Sequence, residues 1–111
     1  MVVLDSADLA GADLGDAGLA RDDLSDLNLS DADLTHTFLW ETDLTRTNLT
    51  GADLTDADLL QANLTAAVLV DARLKRADLS GANLTNADLT GADLSGADFS
   101  GAHLTGRQGP A

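Results

Sequence analysis

The sequence predicts an all-β solenoid, and three observations lead there: leucine recurs with a period of five, that period suits neither regular element, and turn-forming residues crowd two positions in every five. Leucine stands at position 4 and at every fifth position to 104, with Phe99 the one exception. On a helix, five steps of about 100° place successive leucines about 140° apart, so no apolar face forms. In a plain strand the side chains alternate, and every second leucine would point outward. A mixed unit removes the conflict. Three extended residues carry Ala and Leu inward and Asp or Asn outward, and the next two turn a corner that resets the alternation. Repeated in tandem, this unit makes the chain coil.

Each part of the unit has a physical reason. Ser, Thr, Gly, Asn and Asp occupy the corners, where local side-chain hydrogen bonds or a missing Cβ suit tight turns. Coils about 4.8 Å apart satisfy each other's backbone, and the leucine column fills the axis. Residues 2–106 divide into 21 consecutive repeats without an insertion, so a single solenoid domain is expected over 1–106. The tail, 107–111, lacks the repeat, and its Gly-Pro ends the solenoid. Thr37, Thr42 and Thr47 enlarge the inward Ala position modestly, whereas Asp22 and Leu27 strain it, which predicts a bulge or widened coil between residues 21 and 28.

The consensus A-[D/N]-L-[S/T]-x is clean at Ala52-Asp53-Leu54-Thr55 and at Ala82-Asn83-Leu84-Thr85. In unbroken tandem over residues 2–106 it resembles the pentapeptide-repeat family. The resemblance implies a right-handed quadrilateral β-helix with four repeats to a coil, hence about five coils and a rod about 25 Å long. It also implies a function, because acidic fluoroquinolone-resistance members of the family bind DNA gyrase or topoisomerase IV as mimics of double-stranded DNA.

Composition excludes several functions. There is no cysteine, so neither disulfides nor thiolate metal sites are available. Lys and Arg number 6 against 19 Asp and Glu, and a net charge of −13 repels nucleic acid. The longest apolar run, Ala66–Val70, is far below the roughly 20 residues that span a bilayer. The first ten residues include Asp5 and Asp8 and read as no secretion signal, so a cytoplasmic protein that engages no membrane is expected. Four sequons, at Asn28, Asn48, Asn63 and Asn83, follow from the repeat itself. The Asp31-x-Asp33 and Asp56-x-Asp58 spacings lack the central Gly and terminal Glu of a calcium loop. No cofactor, metal or catalytic residue is expected, because a filled rod offers no pocket in which a nucleophile and base could meet.

Stacking at four repeats per coil places Asp13, Asp33 and Asp53 in one outward column, continued by Arg73 and Asp93. Asp16 and Asp56 fall in the neighbouring corner column with His36 between them. These five aspartates form the expected partner-binding ladder. Phe38 and Trp40 flank an inward leucine, Leu60 lies one coil beyond Trp40, and together they form an expected apolar contact patch. Val68 and Val70 make a smaller patch opposite. The expected function is a non-enzymatic acidic protein-interaction module, a duplex mimic engaging a type II topoisomerase. The alternative is a purely structural solenoid, spacer or fragment without a dedicated ligand, whose charge serves solubility.

Solenoid ends expose unpaired strands and open core, which predicts self-association. Residues 1–26 carry net −6 and residues 79–106 net −3, so the C-terminal end, with Phe99 and Leu104, is the favoured homodimer contact. Light scattering should therefore give a dimer mass, and Leu104→Arg should reduce it to a monomer. A wild-type monomer at high concentration would exclude the contact.

Overall fold

The computed structural model describes residues 8–109; the expected first repeat, Val2 to Ser6, and the last two residues of the tail lie outside the described residues. Each mid-face residue bridges in parallel to the residue 20 positions on, from Asp8 with Asn28 to Asp88 with Gln108. Twenty residues are four repeats, so the chain forms a four-sided parallel β-helix. It measures 31 × 22 × 22 Å. Four columns of mid-face residues define its sides. The first face carries Asn28, Asn48 and Val68, the second Asp13, Asp33, Asp53, Arg73 and Asp93. The third carries Gly18, Phe38, Asp58, Asp78 and Asp98, and the fourth Asp23, Asp43, Asn63, Asn83 and His103. The ladder runs on into the segment expected as tail, since the Gln108 N–H donates to the Ala87 carbonyl at 2.9 Å.

The corners explain the consensus. At each, the N–H of the inward small residue donates to the carbonyl of the leucine three positions back, as from Ala52 to Leu49 at 3.0 Å. The residue between them that closes the corner has positive φ, which is the signature of a type II turn. Thirteen of these corner residues are not glycine, with φ between 57° and 63°, so left-handed strain is distributed from Asp16 to Asn86, whereas the last four corners, Gly91, Gly96, Gly101 and Gly106, are free of it. The ladder holds the strained turns closed, because it takes three of the five backbone donors of a regular repeat. In the repeat 52–56, Ala52 donates into the turn, Asp53 to Ala32 of the coil below, and Leu54 and Asp56 to Arg73 and Lys75 of the coil above. The fifth N–H, that of Thr55, donates at 3.0 Å to the Asp53 side chain, which also accepts the Thr55 hydroxyl at 2.6 Å. Asp or Asn two positions before Ser or Thr thus supplies the partner for the one N–H that the ladder and the turn leave over.

Inside, every leucine of the series from Leu24 to Leu89 is at most 1% exposed. Thr37, Thr42 and Thr47 are fully buried at alanine positions. Their hydroxyls donate at 2.8 Å to the corner carbonyls of Leu34, Leu19 and Leu24, so their burial leaves no hydroxyl unpaired. The bulge expected between residues 21 and 28 does not form. Asp23 and Asn28 keep their bridges to Asp43 and Asn48, while Leu27 is 1% exposed and Asp22 is buried. The larger side chain at Leu27 is absorbed by stretching its corner bond to Leu24 to 3.4 Å, a smaller cost than the ladder bonds an inserted bulge would break.

Truncating the axis and relaxing a corner should have opposite effects. Leu64→Ala should lower stability by about 2–5 kcal/mol through the cavity it leaves. Ala66→Gly, at a corner with φ 58°, should raise it by about 0.5–1 kcal/mol, as read from urea unfolding midpoints.

Candidate functional site

The second face assembles the predicted ladder. Asp13, Asp33 and Asp53 bridge in sequence, and Arg73 and Asp93 continue the column. Asp13, Asp33 and Asp53 each use Oδ1 locally: Asp33 Oδ1 accepts the Thr35 N–H at 3.0 Å and its hydroxyl at 2.7 Å. The Thr35 hydroxyl, and then its N–H, hold the Asp33 carboxyl below its ordinary range.

Arginines neutralise the C-terminal half of this ladder. Arg73 Nη1 lies 3.5 Å from Asp53 Oδ2. In the adjoining corner column, Arg76 grips Asp56 bidentately at 2.8 and 3.0 Å, while His36 Nε2 stands 3.8 Å from Asp56 Oδ2. The Arg76 hydrogen bonds hold Asp56 below the usual carboxylate range. No lysine or arginine pairs with Asp13, Asp16 or Asp33 among the described residues. Elsewhere, Arg46 grips Asp26 at 2.7 and 3.0 Å, and Arg21 Nε meets Glu41 at 2.9 Å. Sequence reasoning missed the Arg76, Arg46 and Arg21 pairs. Their signal was present, because each joins opposite charges 20 positions apart.

The third face carries the apolar residues. Phe38 is 52% and Leu60 41% exposed. Trp40, expected to share their exposure, is only half-exposed, and the Arg21 guanidinium covers its ring at 5.0 Å from the centroid. Val68 and Val70 are half-buried on the opposite, first face. Phe99 and Leu104 sit in the final coil, partly buried against the core. Among the described residues, the N–H groups of Leu94, Gly96, Phe99, Gly101, Leu104 and Gly106 have no backbone partner. No three His, Asp or Glu side chains among the described residues gather as a metal cluster.

The family pattern of pentapeptide repeats, itself eight copies long, matches twice, at residues 28–66 and 67–106, which is more than half of the chain. The chain belongs to the pentapeptide-repeat family. The match begins after the irregular positions Asp22 and Leu27. Among solved structures, the chain is similar to the pentapeptide-repeat protein Rfr23 of the cyanobacterium Cyanothece 51142, with 38% identity and a TM-score of 0.82, covering 85% of this chain and 65% of that one. It is likewise similar to alr5209, a pentapeptide-repeat protein of Nostoc PCC 7120, with 38% identity and a TM-score of 0.77, covering 93% of this chain and 84% of that one. A trypsin-treated variant of QnrB1, a plasmid-mediated fluoroquinolone-resistance protein, shares 21% identity with a TM-score of 0.56, over 90% of this chain and 58% of that one, and shows the fold alone. This chain therefore spans just under two thirds of Rfr23. No curated protein matches it. The fold is the family's right-handed quadrilateral β-helix.

The turn aspartates make stability depend on acid. Asp23, Asp33, Asp88, Asp93 and Asp98 are all lowered, first by a Ser or Thr hydroxyl and then by its N–H. A depressed folded pKa contributes stability that is fully present above the unfolded value of about 3.9 and is lost as pH falls through the folded value. The melting temperature should hold between about pH 7 and 5 and drop below about pH 4. Replacing Asp23, Asp88 and Asp93 by Asn, which keeps the acceptor and removes the titration, should flatten that acid limb.

Proposed function

We propose that the chain is a non-enzymatic, acidic protein-interaction module that acts as a double-stranded-DNA mimic toward a type II topoisomerase, DNA gyrase or topoisomerase IV. The observation that carries this reading is the column of Asp13, Asp33 and Asp53 down one face of a rod 31 Å long and 22 Å across. A duplex of that length carries about 18 charges, at one per about 1.7 Å, and the chain carries a net −13. The uncompensated part lies at Asp13, Asp16 and Asp33, toward the N-terminal end of the ladder. Self-association through the final coil, at Phe99 and Leu104, belongs to the same proposal, because it would lengthen the charged rod while leaving the ladder exposed.

A second reading, a structural solenoid without a dedicated ligand, is favoured by one specific observation. Asp53 and Asp56 are engaged by Arg73 and Arg76, and the mid-face aspartates serve their own turns, so much of the charge has an internal use.

Binding to gyrase separates the two. Affinity should fall steeply as salt rises, since exposed charges are screened beyond about 10 Å at 0.1 M. Asp13→Lys, Asp33→Lys and Asp53→Lys together should abolish binding; the exposed turn N–H groups they leave open turn to water, and the fold should persist by circular dichroism because Arg73 already keeps its bridges in this column without such an acceptor. Absence of binding, or binding indifferent to both salt and charge reversal, would reject the mimic and leave the structural reading.

A further inference from the structure

The third face departs from the repeat at Gly18 and Ala20 with small residues and, one and two coils on, at Phe38, Trp40 and Leu60 with large apolar ones. Phe38 stands where the turn needs Asp or Asn, so the Trp40 N–H lacks the side-chain acceptor that Thr35 or Thr55 has. Trp40 and Leu60 stand where Ser or Thr belongs, so the hydroxyl bond is missing too. Asp58 accordingly accepts one local bond, from the Leu60 N–H at 3.1 Å, whereas Asp78 accepts both the N–H and the hydroxyl of Ser80 at 2.9 and 2.5 Å. These substitutions give up turn bonds and bury little, with Phe38 52% and Leu60 41% exposed. A local rule broken without structural gain marks a surface used for something else.

The same face is electrostatically one-sided. Its mid-face column runs Phe38, Asp58, Asp78, Asp98, whereas the second face is interrupted by Arg73. No lysine or arginine occupies an outward position of the third face among the described residues. Of the cations on its edges, Arg21 is held by Glu41 and Arg76 by Asp56, while Lys75 stands at the edge shared with the second face, where its charge acts on Asp56 and Asp93.

We propose that the third face is a docking surface for a basic amphipathic helix of a partner protein, which seats an apolar side chain against Phe38 and Leu60 and sets lysines or arginines along Asp58, Asp78 and Asp98. Spacing selects the helix. Three coil steps cover about 14 Å, and helix positions i, i+4, i+7 and i+11 span about 16 Å, so each cation meets one carboxylate. The alternate residues of an extended segment would need about 20 Å for the same three steps. Strand addition is unavailable along a side wall, whose ladder bonds are already made to the coils above and below. The inference is independent of the topoisomerase reading, which rests on the second face.

The test uses the intact chain and a fluorescein-labelled synthetic helical peptide of about 18 residues, with leucine at i and lysine at i+4, i+7 and i+11. Anisotropy gives the affinity, and the emission of Trp40, the only tryptophan, reports whether the third face is covered. Saturable binding with a shift in Trp40 emission is expected. Asp58→Asn, Asp78→Asn and Asp98→Asn together should weaken it by about tenfold or more. Asp23→Asn, Asp43→Asn and Asp88→Asn, which remove the same charge from other faces, should change it by less than about twofold. Asparagine keeps the turn acceptor, as Asn63 and Asn83 do, so both triple variants retain the fold. Phe38→Ser with Leu60→Ser, confined to exposed side chains, should independently cost about tenfold. Absence of binding, equal weakening by the two triple variants, indifference to the Phe38 and Leu60 changes, or equal binding of a proline-broken peptide would each overturn the proposal.

Discussion

A left-handed residue at every fifth position is the constraint on which the rest of this structure depends. It closes a turn whose carbonyl partner is the axial leucine, and it resets the alternation of side chains so that the next leucine again faces inward. Because most of these corners hold Asp, Arg, Asn or another residue with a Cβ, each would relax if left alone. The coils prevent it, since the corner N–H is itself a rung of the ladder, as from Asp56 to Lys75 at 2.9 Å. Strain and ladder are therefore mutually dependent.

This backbone leaves the side chains little freedom inside and much outside. The axis accepts leucine and the corners' inner positions accept alanine or a threonine whose hydroxyl finds a carbonyl. The mid-face aspartates then serve two purposes, one oxygen holding the turn and the other remaining at the surface. An acidic exterior is thus in part a product of turn chemistry, and Asn at the same position does the structural task without the charge. What differentiates the faces is where that chemistry is abandoned. Arg73 and Arg76 quench one half of the second face, while Phe38, Trp40 and Leu60 replace polar turn residues on the third.

The period of five by itself determined the solenoid, the inward leucines, the turn residues and the outward aspartates, because a helix and a flat strand each fail that pattern for purely geometric reasons. The column Asp13, Asp33, Asp53 was also legible once four repeats were taken as one coil. Only the tertiary structure decided the rest. Asp22 and Leu27 looked too large or too polar for the interior, yet the register held, because many ladder bonds outweigh one stretched corner. Trp40 looked exposed, yet Arg21 covers it, because a long flexible side chain one coil away reaches wherever charge and ring face draw it. The ion pairs Arg76 with Asp56, Arg46 with Asp26 and Arg21 with Glu41 join residues 20 positions apart, contacts that exist only after the coil closes. Short-range periodicity is written in the sequence because each repeat must solve the same turn, whereas pairing between coils depends on reach and competition among side chains that only the stacked structure brings together.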